Sequence, residues 1–397
     1  MNIAIIFSDA KTSIGGGLSY QIKLAKLIKE NFNQNIYFFS NDQSIERELT
    51  KYGIDISYLN YNIFNKLLFK ISKIKFFKFI NFFYKFNLDK KFLKKDIDLV
   101  YFLSPNSDSL YLENINYIFT VWDLCHRDHP EFPEVRNNLA FEKREILFNK
   151  ILPFATKVIS ESSFGKQQLI KRYNIDNEKC EIIDMPLSYL SGEDTNLDNS
   201  FIDNTINKYH IKNKFIFYPA QLWAHKNHIY NIDAIKYLAK KEIIIDLVFC
   251  GADKGNLKTI MAYAKKNNVE KQVKYLGYID KKEITALYKA SLALSMPTYF
   301  GPTNIPPLEA FRNSTPVLYP IFDSENKLFN NGIWPIDLKD PKTLSLQIEK
   351  ILKNDIAIEE KIEYGKKFLE SNNDEKIIKC LKNIFNEFEI KKKTWKI

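Results

Sequence analysis

Short apolar runs rich in β-branched and aromatic residues alternate with helical patterns through almost the whole chain. The first run, Asn2–Phe7, predicts a strand, and Leu18–Asn31 after it predicts a helix. Further strands are predicted at Asn35–Ser40, Leu99–Leu103, Tyr117–Val121, Lys157–Ser160, Phe215–Pro219, Ile243–Cys250, Val273–Leu276, Leu292–Ser295 and Pro316–Tyr319. A helical stretch is expected from about Asp355 to Phe388. Such alternation is typical of parallel sheets with helices on both faces.

The length of 397 residues exceeds what one ordinary core accommodates, so more than one domain is expected. Residues Ser191–Asn213 are mostly polar, interrupt the alternation and predict an interdomain connection. We therefore predict two tandem Rossmann-like, doubly wound α/β domains at 1–190 and 214–375, with a helix and tail at 376–397. Ligands of such sheets bind beyond the carboxyl ends of the strands, which predicts a site in an interdomain cleft.

Composition narrows the classes of protein that fit. The net charge of +10 favours anionic partners, although a bias towards Lys, Ile, Asn and Phe can also reflect an AT-rich genome. Four dispersed cysteines without a C-x-x-C motif predict neither a disulfide framework nor a zinc site. The N-terminus does not resemble a signal peptide, and no run of about 18 uncharged apolar residues predicts a membrane span. A cytoplasmic location is expected.

The segment Phe64–Lys95 is unusually basic, with ten lysines and one acidic residue, Asp89, among many Phe and Ile. Lys66, Lys70 and Lys73 share one helical stripe. One interpretation is contact with an anionic membrane surface, in which lysines meet headgroups and aromatic side chains enter the interface. The other is a helical pair with an apolar core face and solvated lysines, and the sequence leaves both open. No nucleic-acid-binding module accompanies the segment, so no nucleic-acid partner is predicted.

Two loops that follow predicted strands could hold a phosphate. Gly15–Gly17 lies between the first strand and a helix, where glycines allow a ligand close to the backbone and to the helix N-terminus. It is neither a G-x-G-x-x-G nor a Walker motif, and a simple tight turn is the alternative. Lys226, in the YPAQLWAHKNH segment Tyr218–His228, could neutralise a phosphate beside a second helix start, although a lysine there can also be a solvated surface residue.

The segment Thr298–Ala310, TYFGPTNIPPLEA, carries the strongest functional signal. Gly301 and three prolines exclude regular structure over its middle, and a helix is expected to start at Pro306 and Pro307. Glu309 is expected in the first helical turn. Its carboxylate could accept the two hydroxyls of a ribose, or could instead complement the dipole of its own helix.

These motifs resemble those of the family 4 glycosyltransferases, which are retaining enzymes of the GT-B fold. The resemblance spans most of the chain and includes the Gly15–Gly17 loop, His126 and Pro130–Phe132. The other matching segments are Thr120–Leu124 (TVWDL), Val158–Ser163 (VISESS), Leu247–Gly251 (LVFCG), Leu276–Tyr278 (LGY), Leu287–Ala290 (LYKA), Pro306–Ala310 (PPLEA) and Thr315–Val317 (TPV).

The resemblance implies a role for each matched position. Lys226 would neutralise the diphosphate leaving group, and Asp123 and His126 would line the sugar and acceptor side, which makes these three the candidate catalytic residues. Glu309 would bind the donor ribose. The remaining candidate donor-binding residues are Gly16, Gly17, Gln221, Gly301, Pro302, Thr303, Asn304 and Ile305.

Three positions depart from the family pattern. Gly301 stands where a glutamate is frequent, Gln221 where an arginine is frequent, and Trp122 where a histidine is usual. The first two changes remove a carboxylate and a cation from the expected donor site. They predict a different sugar donor, a different diphosphate clamp or reduced activity.

The function predicted from the resemblance is retaining, metal-independent hexosyl transfer from a nucleotide-diphosphate sugar to a hydroxyl of a glycan or lipid-linked acceptor. This would serve synthesis of a surface polysaccharide, either lipopolysaccharide O-antigen or capsule, at the inner face of the cell membrane. GDP-mannose is the expected donor. The alternatives are a non-catalytic scaffold that binds membrane or glycan, and a nucleotide-sugar epimerase. No cofactor is expected: Asp96 and Asp98 spell D-x-D at the start of an apolar strand, and His225 and His228 have no evident third metal ligand.

Overall fold

The computed structural model of the chain describes residues 1–8, 16–59, 89–186, 197–301, 304–323, 326–353, 357–371 and 374–395. The chain divides into two compact units. The first unit comprises residues 1–124, 139–189 and 373–397, and the second comprises 125–138 and 190–372. Each unit is built on one parallel sheet, which confirms the predicted class of two α/β domains.

Among the described residues, seven strands form the sheet of the first unit: β1 (Asn2–Ile6), β2 (Asn35–Ser40), β3 (Ile56–Tyr58), β4 (Leu99–Phe102), β5 (Asn116–Val121), β6 (Lys157–Ser160) and β7 (Cys180–Ile182). Their order is β3-β2-β1-β4-β5-β6-β7. The order reverses at β1, which has β2 on one side and β4 on the other. All four residues of β4 are buried, as expected for a strand in the middle of a parallel sheet.

In the described part of the second unit, six strands form the sheet: β8 (Phe215–Pro219), β9 (Asp246–Cys250), β10 (Val273–Tyr275), β11 (Ala293–Ser295), β12 (Val317–Tyr319) and β13 (Ile333–Pro335). Their order is β10-β9-β8-β11-β12-β13, with the reversal between β8 and β11. The loops that leave these two strands diverge at this point, which is where open α/β sheets place their ligands.

The described residues contain fifteen α-helices besides short 3₁₀ turns, and residues 89–93 are also helical. The helices are α1 (Gly16–Asn31), α2 (Glu46–Thr50), α3 (Cys125–Asp128), α4 (Pro133–Arg136), α5 (Ala140–Ile151), α6 (Ser163–Tyr173), α7 (Asn199–Lys208), α8 (His228–Ala239), α9 (Leu257–Lys266), α10 (Lys281–Ala290), α11 (Ile305–Arg312), α12 (Lys327–Asn331), α13 (Lys342–Leu352), α14 (Ala357–Ser371) and α15 (Asp374–Lys392). None of those described is both long and apolar enough to cross a membrane.

Most predicted strands coincide with observed ones, and Asn35–Ser40, Lys157–Ser160 and Phe215–Pro219 match to the residue. Three strands, β3, β7 and β13, were not predicted from the sequence; each has three residues and lies at an edge of its sheet. The sequence analysis also missed α7, within the predicted connection. Asp198 caps this polar helix by accepting a hydrogen bond from the Phe201 N–H, at 2.7 Å.

Two segments are grouped differently from the boundaries predicted from sequence. Residues 125–138, which the sequence analysis assigned to the N-terminal domain, belong to the second unit, and α15 belongs to the first. In the first unit, the ring of Phe385 on α15 packs edge-on against Phe32, with 5.2 Å between centroids, and Lys392 forms an ion pair with Asp98. Apolar contact and charge pairing thus hold α15 on this unit.

Candidate functional site

The loop between β8 and α8 presents Lys226 at the reversal point of the second sheet. Residues Ala224–Lys226 form one 3₁₀ turn, and Asn227 then takes a left-handed conformation, with φ of 53°, before α8 begins. The buried hydroxyl of Tyr218 donates a hydrogen bond to the Lys226 carbonyl at 2.9 Å. Burial raises the pKa of Tyr218 well above its usual value, so this hydroxyl stays protonated and able to donate.

Asn304, in the loop between β11 and α11, contacts that lysine. The Lys226 ammonium donates to Oδ1 of Asn304 at 2.9 Å. The Asn304 amide nitrogen lies 2.6 Å from the hydroxyl of Tyr319, at the carboxyl end of β12, and also contacts the Gly301 carbonyl. Two predicted site residues, far apart in sequence, are therefore in contact. Pro302 and Thr303 lie outside the described residues, so their predicted roles stay predictions.

The backbone at Gly301 explains why this position holds no carboxylate. Its φ of 97° is a conformation that favours glycine. A Cβ built there would lie 2.8 Å from the amide nitrogen of Asn304, closer than two such atoms approach. Gly301 and Asn304 therefore belong together, because the amide occupies the space that a larger residue at Gly301 would need.

Glu309 lies further along α11 than the sequence analysis predicted. The helix begins at Ile305, so Glu309 is its fifth residue, and placing it in the first turn was wrong. Because a helix dipole acts mainly on its first turn, the dipole interpretation loses its basis. The Tyr288 hydroxyl lies 2.9 Å from Oε2 of Glu309 and 3.2 Å from the Pro306 carbonyl. The carboxylate is half-buried and oriented by α10.

A pair that the sequence analysis missed fixes the loop before Lys226. Glu134 on α4 accepts hydrogen bonds from the His225 backbone N–H, at 2.9 Å, and from Nδ1 of the His225 ring. Both side chains are about nine-tenths buried. Burial alone would raise the pKa of Glu134, but the bonds from His225 outweigh it, so the pKa lies below its usual value.

Two aromatic rings, those of Phe300 and Phe132, pack against the His225 ring of this pair. The Phe300 ring lies parallel to the His225 imidazole, with 3.9 Å between centroids, and Phe132 packs edge-on against both. The Tyr299 backbone N–H donates to the His225 carbonyl at 2.9 Å. The loop before α11 and the loop before α8 are thus joined through backbone and ring contacts. No local motif could have revealed this, because Glu134 and His225 are 91 residues apart.

Gln221, where the family has arginine, is held by its own loop. Its Oε1 accepts a hydrogen bond from the Trp223 indole at 2.9 Å. Indole N–H can only donate, which fixes the orientation of the carboxamide. Lys254, from the loop after β9, lies over the Trp223 ring at 5.2 Å from the centroid. A cation therefore reaches this side of the β8 loop from a neighbouring strand.

The candidate residues of the first unit lie around the start of α1. Gly16 is the first residue of that helix and Gly17 the second. A Cβ at Gly17 would lie 2.6 Å from Cη2 of Trp122, so the indole is packed onto the helix start. Trp122 thus gives Gly17 a packing reason to be glycine, and the predicted approach of a ligand to both glycines stays a prediction. Asp123, the next residue, forms an ion pair with Arg144 at 2.7 Å.

His126 and His228 are both inside the second unit. His126, a candidate catalytic residue, has no exposed surface, and its predicted contact with a ligand stays a prediction. His228 stacks on Tyr218, with 4.7 Å between centroids, and packs edge-on against Phe249. Burial lowers the pKa of His228 to about 3, and the nearby positive charges of Lys226 and His225 add to this effect.

The two candidate metal motifs serve other contacts. Asp98 accepts the Asn2 backbone N–H at 2.9 Å and pairs with Lys392, so it joins β1, β4 and α15. His225 pairs with Glu134, and His228 lies among aromatic rings. Within the part of the chain that the structure describes, no three His, Cys, Asp or Glu side chains converge as metal ligands would.

Residues 201–368 match the family model described as Glycosyl transferases group 1. The match contains Lys226, Asn304 and Glu309. It begins within α7 and ends within α14, so it covers most of the second unit. This part of the chain is therefore similar to the group 1 glycosyltransferases.

Two curated relatives are similar over part of the chain. The O-antigen chain mannosyltransferase RfbU of Salmonella typhimurium is 23% identical over 216 residues, which are 52% of this chain and 55% of the relative. The UDP-Gal:alpha-D-GlcNAc-diphosphoundecaprenol alpha-1,3-galactosyltransferase of Escherichia coli is 28% identical over 123 residues, 30% of this chain and 31% of the relative. The chain therefore spans about half of the first relative's length and a third of the second's. The predicted resemblance to glycosyltransferases of bacterial surface glycans is confirmed.

Solved structures share the fold across nearly the whole chain. Anabaena HepE, solved in complex with UDP and glucose, superposes with a TM-score of 0.71 and 14% identity over 98% of this chain and 100% of HepE. A glycosyltransferase from Rickettsia africae gives a TM-score of 0.69 and 18% identity over 99% and 98% of the two chains. The two parallel-sheet domains are those of the GT-B fold, as predicted.

Proposed function

From the match of residues 201–368 to the group 1 glycosyltransferase model, we propose that this protein transfers a hexosyl group from a nucleotide-diphosphate sugar to a hydroxyl, with retention of configuration and without a metal. The observation that carries the proposal is the contact of Lys226 with Asn304 at the reversal point of the second sheet. The oriented carboxylate of Glu309 follows on α11. A cation and an amide can bind a diphosphate, and a carboxylate can accept hydrogen bonds from ribose hydroxyls.

Lys226 would act on the leaving group. When the bond between the anomeric carbon and the diphosphate oxygen breaks, negative charge grows on that oxygen, and a nearby ammonium stabilises it. The start of α11 contributes few donors, because Pro306 and Pro307 have no backbone N–H and leave that of Ile305 alone among its first three residues. A side-chain cation is therefore needed beside this helix.

The reaction needs no protein nucleophile. The acceptor oxygen bonds to the anomeric carbon on the face from which the diphosphate departs, and the acceptor proton passes to the departing phosphate oxygen. Glu309 would hold the donor through its ribose hydroxyls. Gly16, Gly17, Asp123 and His126 would serve the sugar and acceptor side, as the family resemblance implies.

The proposed acceptor is a lipid-linked glycan of surface polysaccharide synthesis, reached at the inner face of the cell membrane. The names of the two relatives, an O-antigen chain mannosyltransferase and a diphosphoundecaprenol-dependent galactosyltransferase, support this acceptor class. The basic segment Phe64–Lys95 supports contact with anionic lipid. Its residues 64–88 lie outside the described residues.

Sedimentation with vesicles tests the membrane contact. Replacing Lys66, Lys70 and Lys73 with Glu should reduce binding to vesicles that contain anionic lipid and leave the weak binding to neutral vesicles unchanged. The matched control replaces three lysines of the second unit, Lys258, Lys271 and Lys282, with Glu. Equal losses for both triple variants would show a general charge effect and overturn the proposed role of the segment.

Ligand and turnover measurements test the activity. Thermal stabilisation by GDP, UDP, dTDP and CMP identifies the base, because a bound ligand raises the apparent stability. GDP-mannose and UDP-hexoses are then incubated with a lipid-linked acceptor, with and without EDTA, and the product anomer is assigned by NMR. Donor conversion without an acceptor would indicate an epimerase. Membrane binding without turnover of any donor would indicate a scaffold.

A further inference from the structure

Tyr319 is a buried residue at the centre of the contacts around Lys226, and no family motif contains it. Tyr319 is the last residue of β12, the strand next to β11, and it is 1% exposed. Its hydroxyl lies 2.9 Å from the Gly301 carbonyl and 2.6 Å from the amide nitrogen of Asn304. A hydroxyl can donate to one of these neighbours and accept from the other.

The direction of each hydrogen bond follows from what the groups can donate. An ammonium only donates, so the side of Asn304 that faces Lys226 must be its oxygen. The amide nitrogen then faces Tyr319 and the Gly301 carbonyl, where it donates. The Tyr319 oxygen accepts that bond, so the Tyr319 hydroxyl donates its own proton to the Gly301 carbonyl.

The opposite orientation of the Asn304 amide would be unfavourable on both sides. Its nitrogen would meet the Lys226 ammonium, donor against donor, and its oxygen would meet the Gly301 carbonyl, acceptor against acceptor. The contacts with Tyr319 and Gly301 therefore select the orientation in which Asn304 receives the lysine. Burial raises the pKa of Tyr319 far above its usual value, so the hydroxyl keeps the proton it donates.

We infer that Tyr319 is a positioning residue for the diphosphate: through Asn304, it fixes the place from which the Lys226 ammonium meets the phosphate oxygens. This inference rests on the proposed function. An ammonium carries three N–H groups, so its bond to Asn304 is compatible with bonds to phosphate.

The same arrangement gives a reason for the departure at Gly301. A carboxylate partner would cancel the lysine charge, whereas the Asn304 amide orients the lysine and adds no negative charge. The amide fits because Gly301, with φ of 97°, has no side chain that would collide with it. Gly301, Asn304 and Tyr319 thus act together to present a positively charged Lys226 to an anionic ligand.

A double-mutant cycle on nucleotide affinity tests the inference. Binding of GDP, UDP, dTDP and CMP is measured by calorimetry for the unaltered protein, and binding of the preferred nucleotide is then measured for Tyr319→Phe, Lys226→Ala and the double variant. We expect Tyr319→Phe to weaken binding of the preferred nucleotide about threefold to tenfold, the usual effect of one hydrogen bond. In the Lys226→Ala background the same substitution should have less than a twofold effect, because Tyr319 acts through the lysine.

Tyr230→Phe is the matched control. Tyr230 is also buried in the second unit, and its hydroxyl donates to the Asp337 carbonyl at 2.7 Å, a residue outside the candidate site. This variant should lose stability and keep its nucleotide affinity. If Tyr319→Phe does not fold, Asn304→Leu replaces it in the cycle and should show the same dependence on Lys226.

The outcomes separate the inference from the proposed function. If the unaltered protein binds a nucleoside diphosphate, but Tyr319→Phe binds equally well or loses the same factor in both backgrounds, the inference is overturned and the function stands. If the unaltered protein binds neither GDP nor UDP, nor dTDP nor CMP, the proposed function fails and the inference fails with it.

Discussion

The hydroxyl of Tyr288 lies 2.9 Å from Oε2 of Glu309, so a residue of α10 orients the carboxylate of α11. Both residues lie within motifs that the family resemblance matched separately, Leu287–Ala290 and Pro306–Ala310. The contact shows that the two motifs form one structural element.

Glu309→Ala should weaken nucleotide binding by about 10- to 100-fold, because two hydrogen bonds from ribose hydroxyls to a charged group are lost. Tyr288→Phe should weaken it by about threefold to tenfold, since the carboxylate is retained without its orienting partner. Isothermal calorimetry checks both. The control is Tyr263→Phe, which removes a similar hydroxyl bond to the Asp233 carboxylate, of 2.8 Å, away from the candidate site. Unchanged affinity in Glu309→Ala would rule out the ribose assignment.

Because of the pair formed by Glu134 and His225, the free energy of unfolding should fall as the pH is lowered into the acid range. Burial raises the pKa of Glu134, but the hydrogen bonds from His225 outweigh this and hold the pKa below its value in the unfolded chain. The contribution of Glu134 to stability is therefore complete above about pH 4.3 and is lost as the pH falls through the folded pKa. Glu134→Gln should lower the free energy of unfolding by about 1–3 kcal/mol at pH 7 and by less at pH 3.

Urea unfolding at the two pH values measures this difference. Glu131→Gln is the matched control, because Glu131 contacts His129 at 3.2 Å on the exposed surface and should contribute little. A loss that is the same at pH 7 and at pH 3 would mean that Glu134 stabilises the loop without its charge.

His228 should destabilise the fold in mild acid. Its pKa is about 3 in the folded protein, because of burial first and of neighbouring positive charge second, against about 6.5 when unfolded. Between these two pH values the unfolded chain therefore binds one more proton than the folded chain, and the free energy of unfolding falls by about 1.4 kcal/mol for each unit by which the pH is lowered. His228→Phe should remove this slope while keeping ring contacts with Tyr218 and Phe249. Chemical denaturation at pH 6, 5 and 4 gives the slope, and parallel curves for the two proteins would contradict the prediction.

Gly17→Ala should disturb the packing of Trp122. The added methyl would lie 2.6 Å from the indole, and relief of that overlap should lower the free energy of unfolding by about 1–3 kcal/mol. Combining it with Trp122→His frees the space, so the double variant should lose at least about 0.5 kcal/mol less than the sum of the single variants. Thermal and urea unfolding of the four proteins measures this. Strict additivity would show that the Trp122 contact does not require glycine.

Much of the fold was predictable because it is encoded locally. Buried strands such as β4 and β8 are continuous apolar runs, and the clustered Gly and Pro residues after β1 and β11 mark where each loop passes into a helix, α1 at Gly16 and α11 at Ile305. The same locality explains the errors. The strand β13, with three residues at the edge of its sheet, was not recognised, and Glu309 was misplaced by one or two residues because α11 begins at Ile305 and not at Pro306 or Pro307.

The sequence by itself determined the two parallel-sheet domains, the loops that follow their central strands, and the presence of Lys226, Asn304 and Glu309 on those loops. Which side chains meet was decided by tertiary structure alone. Lys226 and Asn304 are 78 residues apart, and they meet because β8 and β11 are adjacent in the sheet and end at the same edge. Gly301, Asn304 and Tyr319 likewise form one hydrogen-bonded group only because of the strand register and the left-handed backbone at Gly301. Local composition encodes strands and turns, but hydrogen-bond partners depend on the distances that the folded sheet imposes.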